Sequence, residues 1–123
     1  MNKLEFAVEM QKRTKQFAIQ VVRFYGKLPK TDEARVLGRQ LLRAGTSVAA
    51  NYRAACRAKS GADFISKLGT TVEEADESVL WLELLEGAGV CKKDQMAGLL
   101  DEADQLMRIL ATSLATARRN APR

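Results

Sequence analysis

The chain has 123 residues, with 20 Lys and Arg against 15 Asp and Glu, a net charge of +5, two cysteines and no histidine. That length suits one domain with a core of its own, and a composition 46% hydrophobic and 28% charged is not that of a disordered chain. The missing histidine excludes imidazole bases, the usual catalytic triads and the common zinc sets.

Apolar residues recur every three or four positions, which predicts four helices. The first runs over 3–27 with the line Ala7, Met10, Phe17, Val21, Phe24 and Leu28, Thr14 lying in register, and Pro29 stops it. The second runs over 32–57, capped by Thr31 or Asp32, with the line Ala34, Leu37, Leu41, Ala44, Val48, Tyr52 and Ala55. The third runs over 61–86. Ser60 with Asp63 resembles a capping box, the line is Phe64, Leu68, Thr71, Ala75, Ser78, Leu82 and Leu85, and Gly87 and Gly89 end it.

The fourth runs over 92–118 with the line Met96, Leu99, Ala103, Leu106, Leu110, Ser113 and Ala117. Asp94 suits its first turn, and Arg118 and Arg119 suit its end. Helices of about 25 residues on short loops predict an all-α, up-down-up-down four-helix bundle over 1–119, with a frayed tail over 120–123. Two-residue alternation and Asn-Gly hairpin turns are both missing, so no strand is expected.

Charge is distributed unevenly. Residues 1–28 hold six bases and two acids, and 29–59 hold seven bases and two acids. Residues 60–91 hold one base and seven acids, and 92–123 hold six bases and four acids. Arg35, Arg39, Arg43, Arg53 and Arg57 fall within an arc of roughly 80° on the second helix, opposite its apolar line. This stripe, with Lys12, Arg13, Lys15 and Arg23 of the first helix, is the candidate nucleic-acid surface.

Two other readings of the same charges stand beside it. They could be solvated faces and ion pairs within a monomer, each worth about 0–1 kcal/mol. They could also drive self-assembly, the acidic third helix of one copy facing the basic helices of the next. On the third helix Ile65, Val72 and Val79 form a second apolar row and Trp81 flanks the core on the other side. Together with the outward Glu73 and Glu77 these are the candidate oligomer interface, the alternative being a thick core.

Nothing points to a reaction. The carboxylate cluster Glu73, Glu74, Asp76 and Glu77 lacks the histidines of a di-metal bundle. Cys56 and Lys67 have no base beside them, and Gly87-Ala88-Gly89 is too short for a phosphate loop. The expectation is a non-enzymatic protein without cofactor or metal. Cys56 and Cys91 fall at opposite ends of the bundle and are expected to be reduced thiols. The longest uncharged runs, 44–52 and 109–117, are far short of a membrane span of about 20 residues. Lys3, Glu5 and Glu9 break any leader at the start, so the protein is expected in the cytoplasm with no membrane partner.

Certain stretches carry a resemblance. Arg13-Thr14-Lys15-Gln16-Phe17-Ala18, Leu28-Pro29, the run from Gln40 through Arg43-Ala44-Gly45-Thr46-Ser47 to Asn51, Phe64-Ile65-Ser66-Lys67-Leu68, and the run from Glu73 to Leu85 through Trp81 are similar to one family. It is that of the small four-helix bundle proteins encoded by intervening sequences of 23S ribosomal RNA genes. The family also resembles the accessory variability determinant protein of diversity-generating retroelements. The resemblance implies a homopentameric ring. In the retroelement relatives it implies basic surfaces that bind nucleic acid and a reverse transcriptase. By position Arg13, Arg43, Ser47 and Asn51 match its pattern, whereas Tyr52-Arg53-Ala54-Ala55 stands where many relatives continue Ile-Ala-Glu-Gly. The competing functional reading is an adaptor that docks an acidic protein without nucleic acid.

Overall fold

The computed structural model describes residues 1–122 and contains four helices, α1 Lys3–Gly26, α2 Asp32–Cys56, α3 Gly61–Gly87 and α4 Lys93–Arg119. Their ends lie within one residue of the periodicity-based limits. Asn2 starts α1 by accepting the Glu5 N–H at 2.8 Å, Thr31 accepts that of Ala34 at 3.3 Å, and Ser60 accepts that of Asp63 at 3.1 Å. At α4 the Gln95 carboxamide oxygen accepts the Lys92 N–H at 2.7 Å. After α3 the Val90 N–H returns to the Leu85 carbonyl at 2.9 Å, a turn made possible by Gly89 at φ +74°. Asn120 caps α4, and residue 123 of the expected tail lies outside the described residues.

Each helix packs along the next in sequence, and α1 closes against α4 along the thinnest seam. The diagonal pairs α1–α3 and α2–α4 keep their backbones apart. The interior is built by Phe17, Leu41, Leu68, Leu82, Leu85, Met96, Leu106 and Leu110, all fully buried. Thr14, Thr71 and Ser78 are buried too, and each hydroxyl donates to the carbonyl four residues back at 2.8 Å, so none of the three is stranded. Near the end of α4 the buried residue is Leu114, not Ser113 or Ala117, which are half-buried. A straight helix of about 3.6 residues per turn drifts off a seven-residue line, and the larger side chain turns inward.

Periodicity missed two buried residues of α2, Gly38 and Gly45. A Cβ on Gly45 would stand 2.8 and 2.9 Å from the two Val21 methyls and 3.1 Å from its Cβ. A Cβ on Gly38 would meet Leu28 at 2.8 Å and the Tyr25 ring at 3.0 Å. These two positions, one heptad apart, let α1 lie directly on the α2 backbone. Val21 is β-branched and has one comfortable rotamer in a helix, so it cannot turn aside.

Gly45→Ala is therefore expected to lower stability by about 1–3 kcal/mol through overpacking, overriding the ~1 kcal/mol that alanine gains in helix propensity. Gly69 lies inside α3 with nothing within 4 Å of a built Cβ, so Gly69→Ala should raise stability by about 0.5–1 kcal/mol. Urea unfolding midpoints of the two variants check the opposite signs.

Candidate nucleic-acid interface

Leu41, Ala44 and Val48 are wholly buried, and this turns the five arginines of α2 to the outside. Arg35, Arg39, Arg43, Arg53 and Arg57 are all exposed, as are Lys12, Lys15 and Arg23 of α1, while Arg13 is half-buried. The nine cations do not form one free surface. The fold divides them by what lies beside each.

Arg43 leans onto α3. Its Nη1 lies 3.0 Å from Glu74 Oε2 and its Nη2 3.3 Å from Glu77 Oε1. Glu74 is nearly covered, and burial, then the neighbouring Glu77, push its carboxyl up from the usual range, while Arg43 opposes them. Arg13 turns to α4 and binds Glu102 in the two-pronged fashion of a guanidinium, Nε to Oε2 at 2.8 Å and Nη2 to Oε1 at 2.7 Å, with Gln105 Oε1 at 3.0 Å. The hydrogen bonds to Glu102 hold the Arg13 proton more firmly than in a free guanidinium. These two arginines fasten seams between helices.

The remaining cations are loosely held or free. Arg35 reaches Asp32 at 3.8 Å and Lys12 reaches Glu9 at 3.6 Å, each within one turn of its own helix and well exposed. Arg39, Arg53, Arg57, Lys15 and Arg23 have no carboxylate within 4.0 Å among the described residues. The accessible positive face is thus the outer side of α2, flanked by α1.

Of the candidate interface residues, Ile65, Val72, Val79 and Trp81 are half-buried and rest against the core. Glu73 is exposed and Glu77 is taken up by Arg43. The Trp81 indole nitrogen is buried without an acceptor, a state that costs about 1–3 kcal/mol. Val79 also lines an open groove of about 550 Å³ between α3 and α4, rimmed by Glu83, Glu86, Asp101, Asp104 and Lys93.

The aromatic rings point inward. Phe17 and Tyr52 are buried, and Phe6, Phe24, Tyr25 and Phe64 pack on the core. A nucleic acid on this surface would meet guanidinium groups and no stacking platform, which fits contact with phosphates over recognition of bases. Burial pushes up the Cys56 and Cys91 thiols and the Tyr52 hydroxyl, so none is an activated nucleophile. No group of three or more His, Cys, Asp or Glu able to hold a metal occurs among the described residues. No helix among them is long and apolar enough to cross a membrane.

Sequence reasoning did not find Glu102 and Gln105. Arg13 carried no sign of its partner, because α1 and α4 lie 89 positions apart at this contact and their register is set by the bundle. Asn51, one of the positions matching the resemblance, donates its side-chain amide to the Ser47 carbonyl at 2.9 Å, a bond within α2.

Comparison with known proteins agrees with this architecture. The family model described as 23S rRNA-intervening sequence protein matches residues 7–112. A crystal structure of a protein of unknown function from the S23 ribosomal protein family of Bacteroides thetaiotaomicron superposes with a TM-score of 0.79 at 32% identity, covering 85% of this chain and 97% of the other. No curated protein matches the chain.

Two stability effects follow from the paired arginines. Arg13→Ala should lower stability by about 1 kcal/mol, a modest figure because solvent screens a pair that is one-third exposed, and the loss should appear in thermal or urea unfolding. The raised Glu74 carboxyl binds its proton more tightly folded than unfolded, so its contribution is present at low pH and is lost as pH rises through the folded value. The stability of Glu74→Gln relative to wild type should accordingly increase from the acidic carboxylate range toward neutrality. A constant difference across that range would contradict the assignment.

Proposed function

The chain belongs to the 23S rRNA-intervening sequence protein family, and from that premise we propose that it is a non-enzymatic, homo-oligomeric bundle that binds RNA or DNA in the cytoplasm. The single observation that carries the nucleic-acid reading is the outer face of α2. Arg39, Arg53 and Arg57 stand exposed there with no carboxylate beside them among the described residues. Arg39 and Arg57 lie about 27 Å apart along the axis at ~1.5 Å per residue, long enough to meet several phosphates of one strand. Arg35 adds a loosely tethered fourth charge. Displacing condensed counterions from such a strand supplies a favourable term that needs no base-specific contact.

Homo-oligomerisation is supported by the strong separation of charge between the basic first half and acidic α3. A pentameric ring is what the resemblance to relatives implies. A ring repeats the α2 face around its axis, and several weak patches then act together on one polyanion.

The test is a fluorescence-anisotropy titration of labelled RNA and duplex DNA across a range of salt. Wild type should show a linear loss of log affinity with log salt. Arg39→Gln/Arg53→Gln/Arg57→Gln should flatten the slope by about 2–3, since each phosphate left unneutralised removes about 0.7–0.9. Arg43 is left intact because its removal would also loosen α2 from α3. An unchanged slope, or no binding by wild type, overturns the reading. A protein partner retained from lysate after nuclease treatment would favour the adaptor alternative.

A further inference from the structure

The bundle is not filled equally at its two ends. At one end Leu28, Leu85 and Met96 close the interior and are buried. At the other, α1 and α3 begin and α2 and α4 finish. There the inward lines run out in small side chains, Ala7 on α1, Ala55 on α2, and Ser113 and Ala117 on α4. Side chains of this size cannot bring the space between four helices to the close packing of a core. What remains is a cavity of about 730 Å³, lined by residues of all four helices.

Its chemistry changes with depth. Leu68 and Tyr52, 0% and 3% exposed, lie deepest in the lining. Phe6 and Phe64 are half-buried and form its walls. Lys3 is exposed and stands at the rim. A second cation reaches the rim from α4, where Arg119 Nη2 donates to the Oγ1 of the lining residue Thr116 at 3.3 Å.

No Asp or Glu lines the cavity among the described residues. The acids of the adjoining first turns are engaged elsewhere, Glu5 by the Asn2 amide at 2.8 Å and Asp63 by Lys67 at 3.4 Å. Lys3 and Arg119 have no carboxylate within 4.0 Å among the described residues.

A volume of this size suits a small organic molecule, and sites for such molecules join apolar walls to a few placed polar groups. Phenyl and leucine surfaces favour an aliphatic tail, which leaves water on entering. A rim with two cations and no carboxylate favours a negative head. The geometry points to a binding site for a medium-chain aliphatic carboxylate, its tail against Phe6, Phe64 and Leu68 and its head beside Lys3 and Arg119. The proposal rests on neither nucleic-acid binding nor self-association.

Isothermal titration of the full chain with decanoate, kept below its micelle concentration, tests this. Decanoate should bind saturably at one site per chain and raise the melting temperature. Decylammonium, which has the same tail and the charge of the rim itself, should bind about tenfold more weakly or less. Lys3→Glu should weaken decanoate about fivefold and keep the fold, because an acid suits the first turn of a helix. Ser113→Leu/Ala117→Leu fills the cavity and should abolish binding while keeping the helical circular-dichroism signal. Should that variant unfold, Lys3→Glu and decylammonium decide between them. Absence of saturable decanoate binding, equal binding of decylammonium, or an affinity unchanged by Lys3→Glu or by the folded double variant overturns the proposal.

Discussion

Val21 resting on the bare Cα of Gly45 sets the geometry on which the rest of the bundle depends. With the two backbones this close, α2 meets α1 along the line of Gly38 and Gly45. That line turns Leu41, Ala44 and Val48 into the interior and leaves the opposite side of α2 for the arginines. A side chain in place of Gly45 would push α1 away, because a β-branched neighbour has no other rotamer to adopt. The cationic face is in this sense a consequence of how tightly the first two helices pack.

Charge is used in two distinct ways in the molecule. At the seams it fastens neighbouring helices, across the thinnest contact and the most extensive one alike. Arg13 bridges to Glu102 where α1 and α4 approach least, and Arg43 reaches Glu74 and Glu77 at the edge of α2 and α3. Away from the seams it is unpaired or tethered only within a turn of its own helix, and mostly positive outside α1 and α2 and negative outside α3 among the described residues. Exposed pairs within a monomer are worth little, whereas unpaired charge of one sign is available to a partner of the other. A polyanion and a second copy of the chain are the two partners that this sorting fits.

Much of the architecture was legible in the chain itself. Caps at Thr31 and Ser60, the stop at Pro29 and the turn at Gly89 are local chemistry and need no tertiary information. The buried lines were legible for the same reason, since a helix repeats about every 3.6 residues whatever it packs against. Where the line departs from the structure, at Ser113, a strict heptad runs past the point where Leu114 takes over. Gly38 and Gly45 could have been noticed as two small residues one heptad apart, but apolar periodicity counts side chains and passes over positions that have none.

The candidate surface was legible only in outline. Spacing alone placed five arginines on one side of α2, because all five belong to a single helix. It could not tell Arg43, held by α3, from Arg39, which has no carboxylate beside it among the described residues, since that difference lies in the rotation of one helix against its neighbour. Arg13 and Glu102 show the same limit over the length of the chain. The amino-acid order by itself determined four amphipathic rods, their ends and the sign of charge on each, all short-range properties. Tertiary structure alone decided which charges cancel and which remain available, because pairing depends on distances of about 3–4 Å across seams whose register is set by the packing of the whole core.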